Sequence, residues 1–104
     1  MRELMPEAVA ALHAAGKVVL VDVREPWEWE ICHVAGALHI PMGQVPARLA
    51  EIPPERPVVV MCHHGMRSHQ VAQFLLGQGY ADVANLDGGI DAWARSVDAS
   101  LALY

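Results

Sequence analysis

The sequence predicts an α/β fold: a mostly parallel five-stranded sheet with helices on both faces. Three observations carry this. Short apolar runs alternate with helix-forming stretches along the 104 residues. Lys17–Val23 (KVVLVDV) is an almost unbroken β-branched run, as in a strand covered on both faces. Asp22, Arg24 and Cys62, the chemically conspicuous residues, fall at the carboxyl ends of such runs, where open α/β sheets bind their ligands.

Taken in order, Arg2–Leu4 reads as a short edge strand. Leu4–Ala15 reads as a helix, with Pro6 suited to its first turn and Gly16 as its stop. Lys17–Val23 follows as a central strand. Glu25–Ile31 is a short helix with Pro26 in its first turn, Cys32–Ala37 a turn, and Leu38–Ile40 a strand closed by Pro41. Gln44–Ala50 is expected to be a short helix, and Ile52-Pro53-Pro54 a rigid connector. Val58–Met61 is a buried strand, and Val71, Leu75 and their neighbours place a helix over His69–Gln78, ended by Gly77 and Gly79. Asp82–Leu86 is the last strand, Asp87-Gly88-Gly89 a tight turn, and Ile90–Arg95 a helix anchored by Trp93. Ser96–Tyr104 has no clear pattern. There is no repeat or linker, so residues 1–104 are expected to form one domain.

The composition, 54% hydrophobic and 18% charged, supplies a core and argues against disorder. The net charge of −5 and the lack of a basic run argue against nucleic acid and anionic membranes as partners. No apolar stretch approaches the roughly 20 residues of a membrane span, and the first residues do not read as a signal peptide. The expected location is the cytoplasm. Two cysteines without CxxC spacing do not make a disulfide framework.

The chemistry concentrates in PVVVMCHHGMRSHQVAQFLL, Pro57–Leu76. Cys62 lies between a buried strand and a helix start, whose unpaired N–H groups and dipole favour negative charge. A thiolate there becomes a nucleophile. Gly65 allows a loop dihedral that a Cβ would forbid, and Arg67 can hold an anion near the sulfur. Ser68 reads as a helix N-cap. A buried free cysteine is also an ordinary small hydrophobe. That reading leaves the surrounding Gly, Arg and histidines without a role.

The same loop resembles the active-site loop of the rhodanese (thiosulfate sulfurtransferase) family: Cys, two variable residues, Gly, often a basic residue, then Ser. The resemblance extends over most of the chain. LVDVREPWEWEICHVAGALHIP, Leu20–Pro41, is similar to the family's first signature through Asp22, Arg24, Glu28, Trp29, His33, Gly36 and Ala37. NLDGGIDAW, Asn85–Trp93, resembles its Gly-Gly-x-x-x-Trp close. The resemblance implies a single rhodanese-like domain. It also implies a sulfurtransferase in which Cys62 takes the outer sulfur of thiosulfate or a similar donor. The Cys62 persulfide then passes that sulfur to a thiol, cyanide or protein acceptor. His63, His64, Gly65, Met66, Arg67 and Ser68 would surround the bound sulfur, with Asp22 and Arg24 supporting the loop. No metal or organic cofactor is implied. The closing GGIDAWARSVDASLALY resembles the tail of rhodanese domains found alone or fused to adenylating enzymes of cofactor biosynthesis, a resemblance that points toward sulfur-carrier delivery.

Two other functions compete with this one. Cysteine phosphatases and arsenate reductases need five residues between Cys and Arg. Here only four separate Cys62 from Arg67, and the smaller cradle suits sulfur better than phosphate. Non-catalytic rhodanese-like binding modules typically lack the Cys that is present here. His63, His64 and His69 could in principle join the cysteines around zinc, but their spacing matches no familiar zinc module and adjacent histidines are expected to diverge. Trp27, Trp29 and Trp93 are read as packing, and Met42 and Met66 as an apolar lip. Cys32 departs from the family pattern, which has Gly there. The favoured role is an inert buried thiol. A thiol that resolves the Cys62 persulfide would require Cα atoms within ~7 Å.

Overall fold

The computed structural model describes residues 1–104. Five strands form one sheet: β1 (Arg2–Leu4), β2 (Val19–Asp22), β3 (Leu38–His39), β4 (Val58–Met61) and β5 (Val83–Leu86). Their spatial order is β1-β5-β4-β2-β3, and every neighbouring pair is parallel. Four helices connect them: α1 (Pro6–Ala14), α2 (Pro26–Ile31), α3 (Met66–Gly77) and α4 (Gly89–Ser96).

Side chains alternate across the sheet and build two cores. Val21, Val58, Val60 and Cys62 pack against Val71, Ala72 and Leu75 of α3. Leu20, Val59, Met61 and Leu86 point the other way, against Val9 of α1 and Ile90 and Trp93 of α4. The predicted strands therefore carry helices on both faces, as the apolar runs required. The register aligns Asp22 with Met61 and Val60 with Asn85. The carboxyl ends of β2, β4 and β5 thus share one edge, and Cys62 is the first residue beyond β4.

Several expectations need correction. Gln44–Ala50 is not an α-helix; two 3₁₀ turns, Met42–Gln44 and Leu49–Glu51, overlap its two ends. Arg48 N–H still reaches Gln44 O, but Arg48 itself (φ −110°, ψ 20°) leaves the helical region, so the turn is not continued. The long helix begins at Met66 rather than His69, because Gly65 (φ 107°) turns the chain into it three residues early. Ser68 is accordingly inside the first turn and is not the N-cap. The unassigned tail folds back over the sheet edge, so that Ala102 O accepts a hydrogen bond from Cys32 Sγ at 3.2 Å.

Cys32 and Cys62 are both buried, both free, and belong to cores on opposite faces of the sheet. This placement speaks against a resolving role for Cys32. Trp93 is buried as expected, whereas Trp27 is largely exposed and Trp29 stacks between His33 and His39. No helix is long and apolar enough to cross a membrane.

Candidate active site

Cys62 sits on the floor of a cleft of about 360 Å³ lined also by His63, His64, Met66, Arg67 and Gln70. The Gly65 N–H donates to its Sγ at 3.1 Å. Ser68 Oγ lies 3.3 Å from the same sulfur, fully buried behind it and not in the cleft. The hydroxyl has one proton, and the hydrogen-bond arrangement decides where it goes. Asn85 Nδ2 donates to Gly65 O (3.0 Å) and to the Glu3 carboxylate, so its Oδ1 accepts from Ser68. Ser68 therefore turns a lone pair toward Cys62 Sγ. Its place is to hold the loop from beneath, which corrects the expectation that it lines the substrate site.

The loop is also clamped from α4. Ile90 N–H donates to Cys62 O at 2.8 Å and Asp91 N–H to His63 O at 3.1 Å. A Cβ at Gly89 would overlap both of those carbonyl oxygens. The Gly-Gly pair before Trp93 thus lets the α4 backbone reach the cysteine loop.

Arg67 lines the cleft but is not a free cation. Its Nη1 and Nη2 donate to the two oxygens of Glu28 at 2.6 and 2.9 Å. Tyr104 OH donates to Glu28 Oε2 at 2.7 Å, and the Glu25 N–H donates to Oε1 at 3.0 Å. The Arg67 guanidinium, aided by these donors and opposed by burial, holds the Glu28 carboxyl down at about 2. Arg67 is pushed up by the same bond, and the charge of Cys62 adds to that rise.

Asp22 and Arg24 do not face the crevice as expected; both are fully sealed. Arg24 spends its five N–H groups inside the protein. Nε and Nη2 reach Asp22, Nη2 also reaches Cys32 O, and Nη1 reaches Glu28 O and Tyr104 OH. A buried charge needs this degree of pairing to be tolerated. Arg24 and Tyr104 therefore link the Asp22 strand end to Glu28, and Glu28 links it to Arg67. No local pattern singles out Tyr104 or Asn85; Glu28 stands in the sequence as a motif match and, beside Asp22, as an available partner of Arg24, but its carboxylate pairs with Arg67.

The histidines are arranged against expectation. The rings of His63 and His64 do not diverge; their centroids are 3.9 Å apart. His63 also stacks flat on Tyr104 at 3.8 Å. Burial, then electrostatic interaction with the neighbouring His64, pushes the His63 imidazole below its usual value. His69 lies outside this cluster, on the other side of the loop with Glu3 and Asp87. Met66 stands 79% exposed at the cleft, while Met42 lines a separate groove with Val45 and Phe74, so the two do not form one lip.

The model of the Rhodanese-like domain family matches residues 5–96. The chain belongs to that family. A "Sulfurtransferase" of Allochromatium vinosum is 49% identical over 78 residues, covering 75% of this chain and 73% of that protein. Among solved structures, the reduced CoADR-RHD of Bacillus anthracis superposes with a TM-score of 0.88 at 29% identity, over all of this chain but only 18% of that one. The human single-domain sulfurtransferase TSTD1 superposes with a TM-score of 0.80 at 25% identity, over 92% of this chain and 97% of that one. In this rhodanese-like chain the family's first signature is the buried Asp22–Arg24 pair and α2. Its closing Gly-Gly is the clamp on the cysteine loop.

Proposed function

We propose that the protein is a rhodanese-type sulfurtransferase that carries a sulfane sulfur on Cys62. The observation that carries this reading is the sulfur at the end of a central strand. There it takes a backbone N–H from Gly65, on the floor of a cleft rimmed by Arg67 and two imidazoles. In the first half-reaction the Cys62 thiolate attacks the outer sulfur of a donor such as thiosulfate. A Cys62–S bond forms, the donor's S–S bond breaks, and sulfite leaves with the bonding pair. In the second, a thiolate or cyanide attacks the outer sulfur of the persulfide and Cys62 returns as thiolate. The terminal persulfide anion needs convergent donors and positive charge. The N–H groups of Met66, Arg67 and Ser68 precede the first helical bond, His69 N–H to Gly65 O, and are free of helical partners. Arg67 contributes charge, tempered by Glu28. These features also support sulfur donors and acceptors as the small-molecule or protein partners, with no cofactor in either step.

Intact mass after incubation with thiosulfate tests the proposal. A gain of one sulfur atom is expected in the wild type and in Cys32→Ser, and none in Cys62→Ser. Loading that is lost equally in both variants refutes a single nucleophile at Cys62. Absence of loading from thiosulfate and from a persulfide donor favours a non-catalytic binding module.

A further inference from the structure

We propose that His63, His64 and Asp91 form a binding site for a divalent transition metal ion of the zinc class, at the rim of the cysteine loop. Two imidazoles and a carboxylate are a donor set suited to such ions and poorly suited to magnesium or calcium. Each residue can offer one ligand atom, and the three atoms lie within 4.8 Å of one another. Around a tetrahedral ion with bonds of about 2.0–2.1 Å, ligand atoms stand roughly 3.3 Å apart. The remaining closure falls to side chains, since His64 is exposed and Asp91 half-buried.

The backbone beneath these side chains is already set. Asp91 N–H donates to His63 O at 3.1 Å, which fastens the first turn of α4 to the loop and brings the carboxylate to the imidazoles. Tyr104, stacked on His63 with planes 4° apart, fixes the orientation of that ring. The ligands also have little else to lose. Nε2 of His63 is buried with no hydrogen-bond partner. Asp91 is held by Arg95 Nε at 3.0 Å, and the Arg95 side chain is 63% exposed, so water can replace the carboxylate there. Three protein ligands leave a coordination position open for water or another small ligand. His63 and His64 also line the Cys62 cleft, so an occupied site narrows access to the sulfur; the metal site itself does not rest on the sulfur-transfer reading.

Calorimetric titration of the tag-free chain with Zn²⁺ at neutral pH tests the site. Cys62→Ser serves as the parent, so that the thiolate cannot supply the affinity. One saturable site per chain is expected. Asp91→Asn and His64→Ala, each added to that parent, are expected to weaken binding by roughly tenfold or more, at least the cost of losing an outer-shell partner. Co²⁺ in place of Zn²⁺ should give the strong visible absorption of a tetrahedral centre in the parent and lose it in Asp91→Asn. Urea midpoints within error of the parent show that the variants are folded. No saturable Zn²⁺ binding in the Cys62→Ser parent overturns the proposal, as does undiminished affinity in folded Asp91→Asn and His64→Ala.

Discussion

Glu28→Gln tests the ion pair that holds Arg67 at the cleft. In the folded protein the Glu28 carboxyl lies at about 2, against 4.5 for the ordinary side chain. That difference corresponds to about 3 kcal/mol of stability. The Arg67 side chain is 35% exposed, and solvent at that end of the pair reduces the figure to about 2 kcal/mol. Because the folded value is depressed, the contribution is fully present above the unfolded value and fades as pH falls from about 4.5 toward 2. Gln removes the titration and sets one amide N–H₂ against an Arg67 donor, a loss that does not depend on pH. Urea unfolding of wild type and variant from pH 7 to pH 3 separates the two contributions. The variant should be less stable at pH 7, and the gap should narrow by about 1–2 kcal/mol by pH 3, roughly where half or more of the titrating contribution is gone. Other carboxylates that titrate in this range are common to both proteins and cancel. A gap that stays constant across the range refutes the pair as a source of stability.

Three further outcomes follow from the same geometry. Gly89→Ala places a Cβ on the Cys62 and His63 carbonyl oxygens at φ 62°, and should cost more than about 2 kcal/mol in urea unfolding together with most of the sulfur loading. Arg67→Ala should raise KM for thiosulfate by about tenfold if one charge-assisted contact of ~1.5 kcal/mol is lost, with a smaller effect on an uncharged persulfide donor; unchanged thiosulfate kinetics would make Arg67 purely structural. p-Nitrophenyl phosphate should not be turned over, since four residues rather than five separate Cys62 from Arg67; Cys62-dependent release of nitrophenol would contradict that reading of the loop.

Most of the fold was legible because its signals are local. Val58–Met61 is apolar at every position and is buried at every position, and Arg2–Leu4 and Pro6 stand where turn and helix chemistry placed them. The errors arose where two local signals competed. Ser68 has the chemistry of an N-cap, but the positive φ of Gly65 starts α3 earlier and turns Ser68 inward. Gln44–Ala50 contains helix formers, but Arg48 leaves the helical region after a single turn and the segment stays a series of turns. Adjacent histidines diverge in an extended loop; here the His63 and His64 rings lie side by side, and the tail brings Tyr104 flat against His63.

The candidate site was legible in its contiguous loop, where Cys62, His63, His64, Met66 and Arg67 line one cleft; its remaining parts are joined across the chain. Arg67 meets Glu28 39 positions away, and Tyr104 reaches Glu28 from 76. No spacing rule links such residues. Their order nonetheless has a physical logic. Asp22 neutralises Arg24 in the sealed interior, and Tyr104 bridges Arg24 to Glu28. Glu28 can then turn its carboxylate outward to Arg67. The charge at the cleft is therefore set by a chain of contacts that begins at a different strand. An anion entering the cleft meets a guanidinium whose two terminal nitrogens are already held by Glu28. This predicts opposite shifts for the two ends of the pair. Removing the Glu28 charge leaves Arg67 more electropositive and should lower KM for thiosulfate, whereas removing Arg67 should raise it. If both substitutions move KM in the same direction, the pair acts on the cleft through loop stability and not through charge.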